Sequence, residues 1–515
     1  MLATALTAAV FGVDAHLVRV EADTAAGFPK FTMLGLPDSS IKESAGRIRA
    51  ALRNCGYGFK WDRRITVSMA PASLRKMGSS YDLATALGLL AADGALASSA
   101  LHGLLLVGEL ALDGGVRPVP GVLPMMLMAR RQGIGAALVP AESAAEAAIV
   151  AGVQVYPVAS LPEAVSLACA TERPPAARPV RATAATGLPD LVDVRGQALA
   201  RRALEVAAAG GHNVLFIGPP GSGKTMLARR LAGILPPLTT DEAIETTAIH
   251  SAWGARLAGL MDVRPFRAPH HTASDAALVG GGAIPRPGEV SLAHNGVLFL
   301  DELPEFRRHV LEALREPLED HGVTVSRVRG SVRLPARFQL VAAMNPCACG
   351  GLGNQASPCR CTPERIRVYQ SRLSGPLLDR IDLHVEVPAL PYDDLTGPCG
   401  EASAAVAGRV RAARQRQADR ATRTGALTNS DLDGPQAREL VGSDREARRL
   451  LAEAVNRLGL TGRGHDRLLR VALTLADLEG APKVQPRHVA EALQYRRCRT
   501  DTQQHTQFQF LGERG

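Results

Sequence analysis

The chain has 515 residues, 46% of them hydrophobic, which is enough for two or three domains with cores of their own. Its formal net charge is +9, so an anionic partner is compatible with the composition but not required by it. Eight cysteines do not describe a secreted disulfide scaffold, and no apolar run reaches the length of a membrane span, so we expect a cytoplasmic protein without membrane contact.

The first 170 residues predict a mixed α/β domain. The first ten residues are apolar but carry no basic residue before Arg19, and VDAHLVRVEAD alternates like a strand, which favours a folded domain over a signal peptide. RITVSMAP (64–71) and LLLVGELAL (104–112) predict further strands, and YDLATALGLLAA (81–92) and MMLMARRQG (125–133) predict helices. Residues 171–190 are rich in Pro, Ala and Thr and predict a linker.

A strand, a glycine-rich loop and a helix follow in HNVLFIGPPGSGKTMLARRLAGIL. The loop fits the P-loop pattern, in which glycines let backbone N–H groups face phosphates, a lysine reaches the terminal phosphates and a threonine hydroxyl binds Mg²⁺. A chance glycine turn is the alternative, but this chain uses arginine almost everywhere else. We therefore predict an ATP site formed by Gly218, Pro219, Pro220, Gly221, Ser222, Gly223, Lys224 and Thr225.

Further along the chain, two apolar stretches are each followed directly by polar residues. VLFL ends in Asp301 and Glu302, which predicts a carboxylate for Mg²⁺ and a base that polarises the attacking water. FQLVAAMN ends in Asn345, which we interpret as a sensor of the γ-phosphate. Arg380, in SGPLLDRIDL, has two readings: a local ion pair, or an arginine finger that completes the site of a neighbouring subunit.

From about residue 396 the sequence becomes helical and rich in arginine. Here AAVAGRVRAARQRQADRATR and RLLRVALTLADLEG predict helices, and residues 501–515 predict a polar, frayed tail. The arginines of 409–423 are explained by a solvated helix face, so we do not predict a nucleic-acid contact there.

Several segments together identify a family. RPFRAPHHTASDAALVGGGAIPRPGEVSLAHNGVLFLDELPEF, AAMNPCACG and SGPLLDRIDLHVEV resemble the Mg-chelatase-like AAA+ ATPases called ComM or YifB, and GLPDSSIKESAGRIRAAL and GELALDGGVRPVPGVLP resemble their first domain. The resemblance runs from about residue 5 to 497. It implies an α/β fold class with a Lon-like, ribosomal-protein-S5-type domain over 1–170, an AAA+ core over 191–395 and a helical lid over 396–500.

The same resemblance implies a homo-hexameric ring that moves on DNA, as a branch-migration helicase supporting natural transformation. It also places Arg463 where the family carries a lid arginine that contacts the γ-phosphate. Arg467 is the close alternative, and a surface helix pair is the third reading. A chelatase-type remodeller of a protein partner would use the same ATPase and remains the alternative function.

The likeness to Lon raises the question of a peptidase. KMGSSYDLATA resembles the Lon segment that bears the serine, and Ser80 lies near its place. Such a serine needs a lysine base, expected some forty residues later, where Leu123 and Met125 stand instead. We therefore expect a non-proteolytic domain.

Four cysteines lie in C-x-C-x₉-C-x-C directly behind Asn345. Four thiolates suit tetrahedral zinc, but one residue between paired cysteines strains chelation, so zinc and buried free thiols both stay open. We expect His270 and His271 to have a loop role. The candidate zinc ligands are Cys347, Cys349, Cys359 and Cys361.

For DNA, the useful segment is GVTVSRVRGSVRLPARF, residues 322–338. Two strand-like runs flank RGS and predict a hairpin, with Arg327, Arg329 and Arg333 near its tip. In related AAA+ rings such a hairpin projects into the pore, where arginines would bind phosphates without reading sequence. A solvated basic hairpin is the alternative. Residues 264–282 are a second candidate pore loop.

Overall fold

The computed structural model describes residues 1–35, 39–74, 76, 78–178, 187–282, 286–327, 330–353, 358–442 and 444–496. These residues form mixed α/β sheets followed by a helical C-terminal region. Among the helices of this described part, none is long and apolar enough to cross a membrane.

The first domain is a mixed α/β unit with one large sheet. Its elements are β1 (Leu2–Phe11), β2 (Asp14–Ala25), β3 (Lys30–Leu34), α1 (Ser39–Asn54), β4 (Arg64–Ala70), α2 (Asp82–Ala92), β5 (Leu104–Leu106), β6 (Glu109–Leu110), β7 (Val116–Arg117), α3 (Val122–Arg131), β8 (Ala136–Pro140), α4 (Ala144–Ala147), β9 (Gln154–Val158) and α5 (Leu161–Cys169). The seven-stranded sheet has the order β3-β4-β2-β1-β5-β8-β9. The helix α2 is buried along its whole length against this sheet.

The predicted elements of this domain are found with one interruption. The strand at 64–71 and the helix at 81–92 are confirmed as β4 and α2, and the helix predicted from 125 begins earlier, at Val122. The strand predicted over 104–112 is wrong as a single element. Gly108 lies at φ 154°, so the chain leaves the sheet after β5 and β6 pairs with β7 instead.

The central domain contains a five-stranded parallel sheet. Its elements are α6 (Ala198–Gly210), β10 (Val214–Ile217), α7 (Lys224–Leu231), α8 (Thr240–Trp253), β11 (Phe266–Arg267), α9 (Asp275–Leu278), β12 (Gly280–Gly281), β13 (Arg286–Pro287), α10 (Glu289–Leu292), β14 (Val297–Leu300), α11 (Arg308–Glu312), α12 (Arg315–Asp320), β15 (Gly322–Arg327), β16 (Gly330–Pro335), β17 (Gln339–Met344), α13 (Pro363–Gln370), α14 (Gly375–Leu378) and β18 (Leu383–Glu386). The sheet order is β11-β14-β17-β10-β18, with all neighbours parallel.

This parallel sheet explains why the predicted site residues meet. The strands β14 and β17 are buried along their whole lengths, as expected where helices cover both faces of a sheet. Because the strands are parallel, their carboxyl ends share one edge, and ligands of such sheets bind at that edge. The loops after β10, β14 and β17 carry the residues predicted from the sequence.

The C-terminal region is a group of helices. They are α15 (Tyr392–Thr396), α16 (Ser403–Thr424), α17 (Gly434–Val441), α18 (Arg445–Leu458), α19 (Gly462–Glu479) and α20 (Pro486–Gln494). The apolar sides of α16 and α19 share one hydrophobic cluster with α6 and with β10 and β18, so these helices close the back of the central sheet.

The solvated face predicted for α16 is confirmed only in part, because several of its exposed or half-buried arginines also contact neighbouring helices. Arg414 donates to the carbonyl of Ala208 in α6 at 2.8 Å, and Arg409 pairs with Glu205 of the same helix. Arg420 pairs with the buried Asp477 of α19 at 2.6 Å. Arg409 and Arg414 therefore fasten α16 to the central domain, and Arg420 fastens it to α19.

The hairpin β15–β16 is held by the other two parts of the chain. Its inner face includes Val332 and Leu334, and Phe11 and Val13 from the turn between β1 and β2 pack against the same cluster. Gly12 lies at φ 69°, and a Cβ there would be 2.4 Å from Val332. Only glycine fits at this contact without strain.

The base of the same hairpin is tied to the lid. His321 precedes β15 and Arg337 follows β16, and both contact the carboxylate of Asp431, at 3.3 and 2.6 Å. Burial would raise the pKa of Asp431, but these partners overcome that effect and lower the pKa to about 2. One lid carboxylate therefore anchors both ends of the hairpin.

Candidate nucleotide site

The loop after β10 has the backbone geometry that a phosphate site needs. Gly221 and Gly223 have φ of 78° and 92°, values that side chains other than glycine rarely adopt. A Cβ at Gly218 would lie 2.0 Å from the carbonyl oxygen of Val387. The glycines thus allow the chain to turn tightly into α7, whose first residue is Lys224.

Lys224 connects this loop to the end of β17. Its Nζ donates to the carbonyls of Gly218 and Pro219 at 2.7 and 2.8 Å, and to Oδ1 of Asn345 at 3.2 Å. Burial lowers the pKa of Lys224, and the charges of Asp301 and Glu302 oppose that shift. The predicted phosphate lysine and the predicted sensor are therefore direct neighbours.

The two residues predicted to hold Mg²⁺ also touch. The hydroxyl of Thr225 donates to the carboxylate of Asp301 at 2.7 Å, and the second oxygen of Asp301 accepts from the backbone N–H of Glu302. A hydroxyl and a carboxylate are hard oxygen ligands of the kind that Mg²⁺ prefers. The residues present thus fit a Mg²⁺–nucleotide complex.

Glu302 has a partner that the sequence analysis missed. His271, for which we expected a loop role, places Nδ1 3.4 Å from the Glu302 carboxylate. Glu302 itself lies at φ 52°, a strained value for a non-glycine residue. Because β11 and β14 are parallel neighbours, the loops that follow them lie side by side, but β11 has only two residues and leaves no periodic signal.

Arg380 lies at the opposite edge of the sheet from Lys224. Its carbonyl accepts from Asn213, the residue before β10, whereas the P-loop follows β10 four residues later, about 13 Å away. Its side chain is 9% exposed and pairs with Glu319 of the same chain. Within one chain, Arg380 therefore forms a local ion pair, and it lies away from its own phosphate loop.

Of the two candidate arginines in α19, Arg467 lies near Arg380. Arg467 is buried and approaches Asp379, the neighbour of Arg380, at 3.7 Å. Burial lowers the pKa of Arg467 to about 10. Arg463 is exposed in the first turn of α19. Neither arginine joins the group around Lys224 within one chain.

The hairpin arginines are only partly described. Arg329 lies outside the described residues, and of Arg327 only the backbone is described, paired with Gly330 at the end of the hairpin. Arg333 is exposed but donates to the carbonyl of Asp320, which precedes β15. The prediction that Arg333 lies near the tip is therefore wrong, since its guanidinium is directed to the base.

The four candidate zinc ligands are brought together. The Sγ atoms of Cys347, Cys349 and Cys359 are 3.4 to 3.6 Å apart, and all four Sγ atoms lie within 4.8 Å of one another. Backbone N–H groups of Gly351 and Arg360 donate to Cys349 and lower the pKa of its thiol. The loop that the sequence left open is thus a closed thiol cluster.

Comparison with known proteins gives consistent matches along the chain. Family models described as "Magnesium chelatase, subunit ChlI", "Subunit ChlI of Mg-chelatase" and "Magnesium chelatase, subunit ChlI C-terminal" match residues 190–395, 20–143 and 400–496. The chain is 46% identical over 505 residues to YifB of Salmonella typhimurium, covering 96% of this chain and 97% of that protein. It is 45% identical over 507 residues to the competence protein ComM of Haemophilus influenzae, covering 96% and 97%. The 38 kDa magnesium-chelatase subunit of Acidiphilium rubrum is 28% identical over 327 residues, covering 56% and 84%.

Proposed function

Because this chain belongs to the Mg-chelatase-like ComM/YifB family, we propose that it is an ATP-hydrolysing AAA+ ring motor that acts on DNA. The finer activity is that of a helicase promoting branch migration during natural transformation. The observation that carries the ATPase is the meeting of Lys224 with Asn345 and of Thr225 with Asp301 at one sheet edge. The name of the Haemophilus relative, a competence protein, supports the role in DNA uptake.

The residues at this edge have separate roles in hydrolysis. Lys224 and the backbone N–H groups of the P-loop bind the terminal phosphates, and Thr225 and Asp301 hold Mg²⁺, which neutralises phosphate charge when bound. Glu302 takes the proton of the attacking water. Asn345 orients that water without adding charge.

A ring is supported by where the arginines lie. Arg380 sits at the amino-terminal edge of its own sheet, so it would act on the nucleotide of a neighbouring copy rather than its own. To do so its side chain must leave Glu319 and the carbonyl of Pro376, and its buried Nε, which has no partner among the described residues, would become available only after that movement. Arg463, exposed at the start of α19, would act on the neighbour's γ-phosphate in the same way. The proposed assembly is a homo-hexamer.

Contact with DNA is assigned to the end of the β15–β16 hairpin. The side chains of Thr324 and Ser331 on its outer face are exposed, and Arg327 and Arg329 lie in the sequence at its end. Guanidinium groups on a short exposed hairpin would bind phosphates of single-stranded or branched DNA in a salt-dependent way.

The first domain is proposed to be Lon-like in fold but non-proteolytic. Leu123 and Met125, where the base lysine is expected, are buried in α3. Lys76, the lysine closest in sequence to Ser80, is buried and donates to the carbonyl of Pro71. We propose that this domain serves assembly or DNA handling, that the protein is cytoplasmic, and that ATP and Mg²⁺ are its cofactors; zinc at the four-cysteine loop is considered below.

A second function, remodelling of a protein partner, is favoured by one observation. The chelatase subunit of Acidiphilium rubrum shares 28% identity over 327 residues, and the family models carry the chelatase name. The nucleotide site serves both functions equally. Only the macromolecule that accelerates hydrolysis separates them.

The deciding experiment is an ATPase assay with and without forked DNA. We expect DNA to raise kcat severalfold, with an effect that declines steeply between about 50 and 200 mM salt, as phosphate contacts require. Glu302→Gln should abolish turnover in both conditions. Replacing Arg327 and Arg329 by Ala should remove the stimulation only, whereas Arg411→Ala, an exposed arginine on α16, should not. If ATP turnover is the same with and without DNA at every salt concentration, the result would favour the second function, remodelling of a protein partner.

A further inference from the structure

We infer that the four-cysteine cluster binds one Zn²⁺ as thiolates, and that the bound ion fixes the loop against which the P-loop and Asn345 are supported. The cluster consists of Cys347, Cys349, Cys359 and Cys361. The second half of this inference rests on the proposed ATPase, but not on DNA. The first half stands on the sulfur geometry alone.

The spacing of the sulfurs favours a metal over the other states of cysteine. A disulfide would place two sulfurs about 2.0 Å apart, and the observed separations of 3.4, 3.5 and 3.6 Å are far longer. Four sulfurs around one zinc ion at about 2.3 Å would be about 3.8 Å apart. Unrelated buried thiols would have no reason to gather within 4.8 Å from two segments ten residues apart.

Backbone N–H groups donate to two of the four sulfurs. The N–H of Cys361 donates to Sγ of Cys359 at 3.4 Å, and the N–H groups of Gly351 and Arg360 donate to Cys349. Hydrogen bonds to ligand sulfurs are a regular feature of metal–thiolate sites because they stabilise the thiolate and orient it. Binding would release the thiol protons to solvent.

The cluster is fastened to the nucleotide site from two directions. Cys347 is buried two residues after Asn345, and Gln370, in the helix that follows Cys361, donates to the carbonyl of Pro346 at 3.2 Å. On the other side Gly350, at φ 78°, lies so close to Pro220 that a Cβ would be 2.4 Å from its ring. The loop thus fills the space between the sensor strand and the P-loop.

The consequence for hydrolysis follows from this position. Residues 346–361 have no regular secondary structure where they are described, so the loop must be ordered by something other than a backbone ladder. One ion that joins its two ends supplies that order. Without the ion, Asn345 and Pro220 lose their lateral support, and positioning for catalysis suffers more than nucleotide binding.

The first test is metal content. Full-length protein purified without added metal is expected to carry about one zinc per chain by elemental analysis. Exchange with Co²⁺ should give the intense charge-transfer and d–d absorption bands of a tetrahedral tetrathiolate site. Protein that retains less than about a tenth of an ion per chain, even after zinc is supplied during purification, overturns the inference.

The second test separates zinc from folding. Cys349→Ala should lose the metal, and Cys349→His, which keeps a zinc ligand, should retain it. Loss of the ion should lower basal kcat by about 10- to 100-fold with a smaller change in KM, and the His variant should recover most of it. Cys399→Ser, at an exposed cysteine outside the cluster, is the matched control. Equal kcat in the Ala and His variants would refute the coupling.

The third test leaves every thiol in place. Gly350→Ala should keep its zinc, yet its added methyl group would press on Pro220 and lower basal kcat. Removal of zinc from the wild-type protein by a chelator should lower kcat, and adding zinc back should restore it. A Gly350→Ala protein with full zinc and unchanged kcat would show that the loop does not act on the P-loop. Absence of ATPase in the wild type as well would instead point to failure of the proposed function.

Discussion

Asp431 provides the most quantitative prediction, because its surroundings assign it a defined free energy. It accepts from Arg337 at 2.6 Å and from the backbone and side chain of Thr428 at 3.0 and 2.9 Å, and it contacts His321. Its pKa of about 2 compares with an ordinary value of 3.8. At about 1.4 kcal/mol per unit, the ionised carboxylate stabilises the folded state by about 2.5 kcal/mol through its contacts with the hairpin and with Thr428.

The substitution Asp431→Asn should therefore raise the population of molecules in which this attachment is open by a factor of up to about 60 at neutral pH. Hydrogen exchange measured by mass spectrometry on peptides covering 428–441 and 321–337 reports that population directly. Asp419→Asn, whose side chain on α16 contacts Gln415 at the surface, is the control and should leave exchange unchanged. The reasoning is refuted if Asp431→Asn alters exchange in these peptides by less than about threefold.

The same carboxylate fixes the sign of a pH dependence. Because its pKa is lowered in the folded state, its contribution is complete above about pH 4 and disappears as the pH falls towards 2. The wild type should lose protection of the hairpin base across that window. The Asn variant should not show this loss of protection between about pH 4 and pH 2. If the side chain of Asp431 acted only by its shape, wild type and variant would respond to pH alike.

Three further predictions concern other parts of the molecule. His271→Ala should lower kcat with little change in nucleotide affinity, and His271→Asn, which can still donate to the catalytic carboxylate, should recover part of it in steady-state assays. Gly12→Ala should cost about 1–3 kcal/mol more in urea unfolding than Gly56→Ala, because both have positive φ but only the first meets a neighbour. Mixed Lys224→Ala and Arg380→Ala proteins, each inactive alone, should regain ATPase when combined, and no recovery at any ratio would contradict a shared site.

The nucleotide site was predictable because its parts are local in sequence. Asp301, Glu302 and Asn345 each end a short apolar stretch, and the rule that parallel strands share a carboxyl edge brings them together without knowledge of the whole fold. The contact of Lys224 with Asn345 spans 121 positions, yet both ends were identified separately. Local pattern and long-range geometry agree here, as expected for a consistent sequence.

Other features were hidden because their partners are distant and carry no pattern. The arginines of α16 look like a solvated face until α6 and α19 supply Glu205, Ala208 and Asp477. The alternating valines of the hairpin predict that one of its faces is buried. Nothing local in the sequence indicates that Phe11 and Val13, about three hundred residues earlier, pack against this face. The spacing of the cysteines left zinc and free thiols both open, because chelation depends on how the loop between them closes.

The two attachments of the basic hairpin constrain how the motor proposed above could move DNA. The hairpin contacts the first domain on one flank and Asp431 at its base, so in the proposed motor it would move together with its subunit. In that proposed motor, an advance along a DNA strand would come from displacement of whole subunits relative to their neighbours. In the proposed motor, the step length would then be set by the offset between adjacent subunits, and weakening either attachment should reduce the distance moved per ATP hydrolysed more than the rate of hydrolysis.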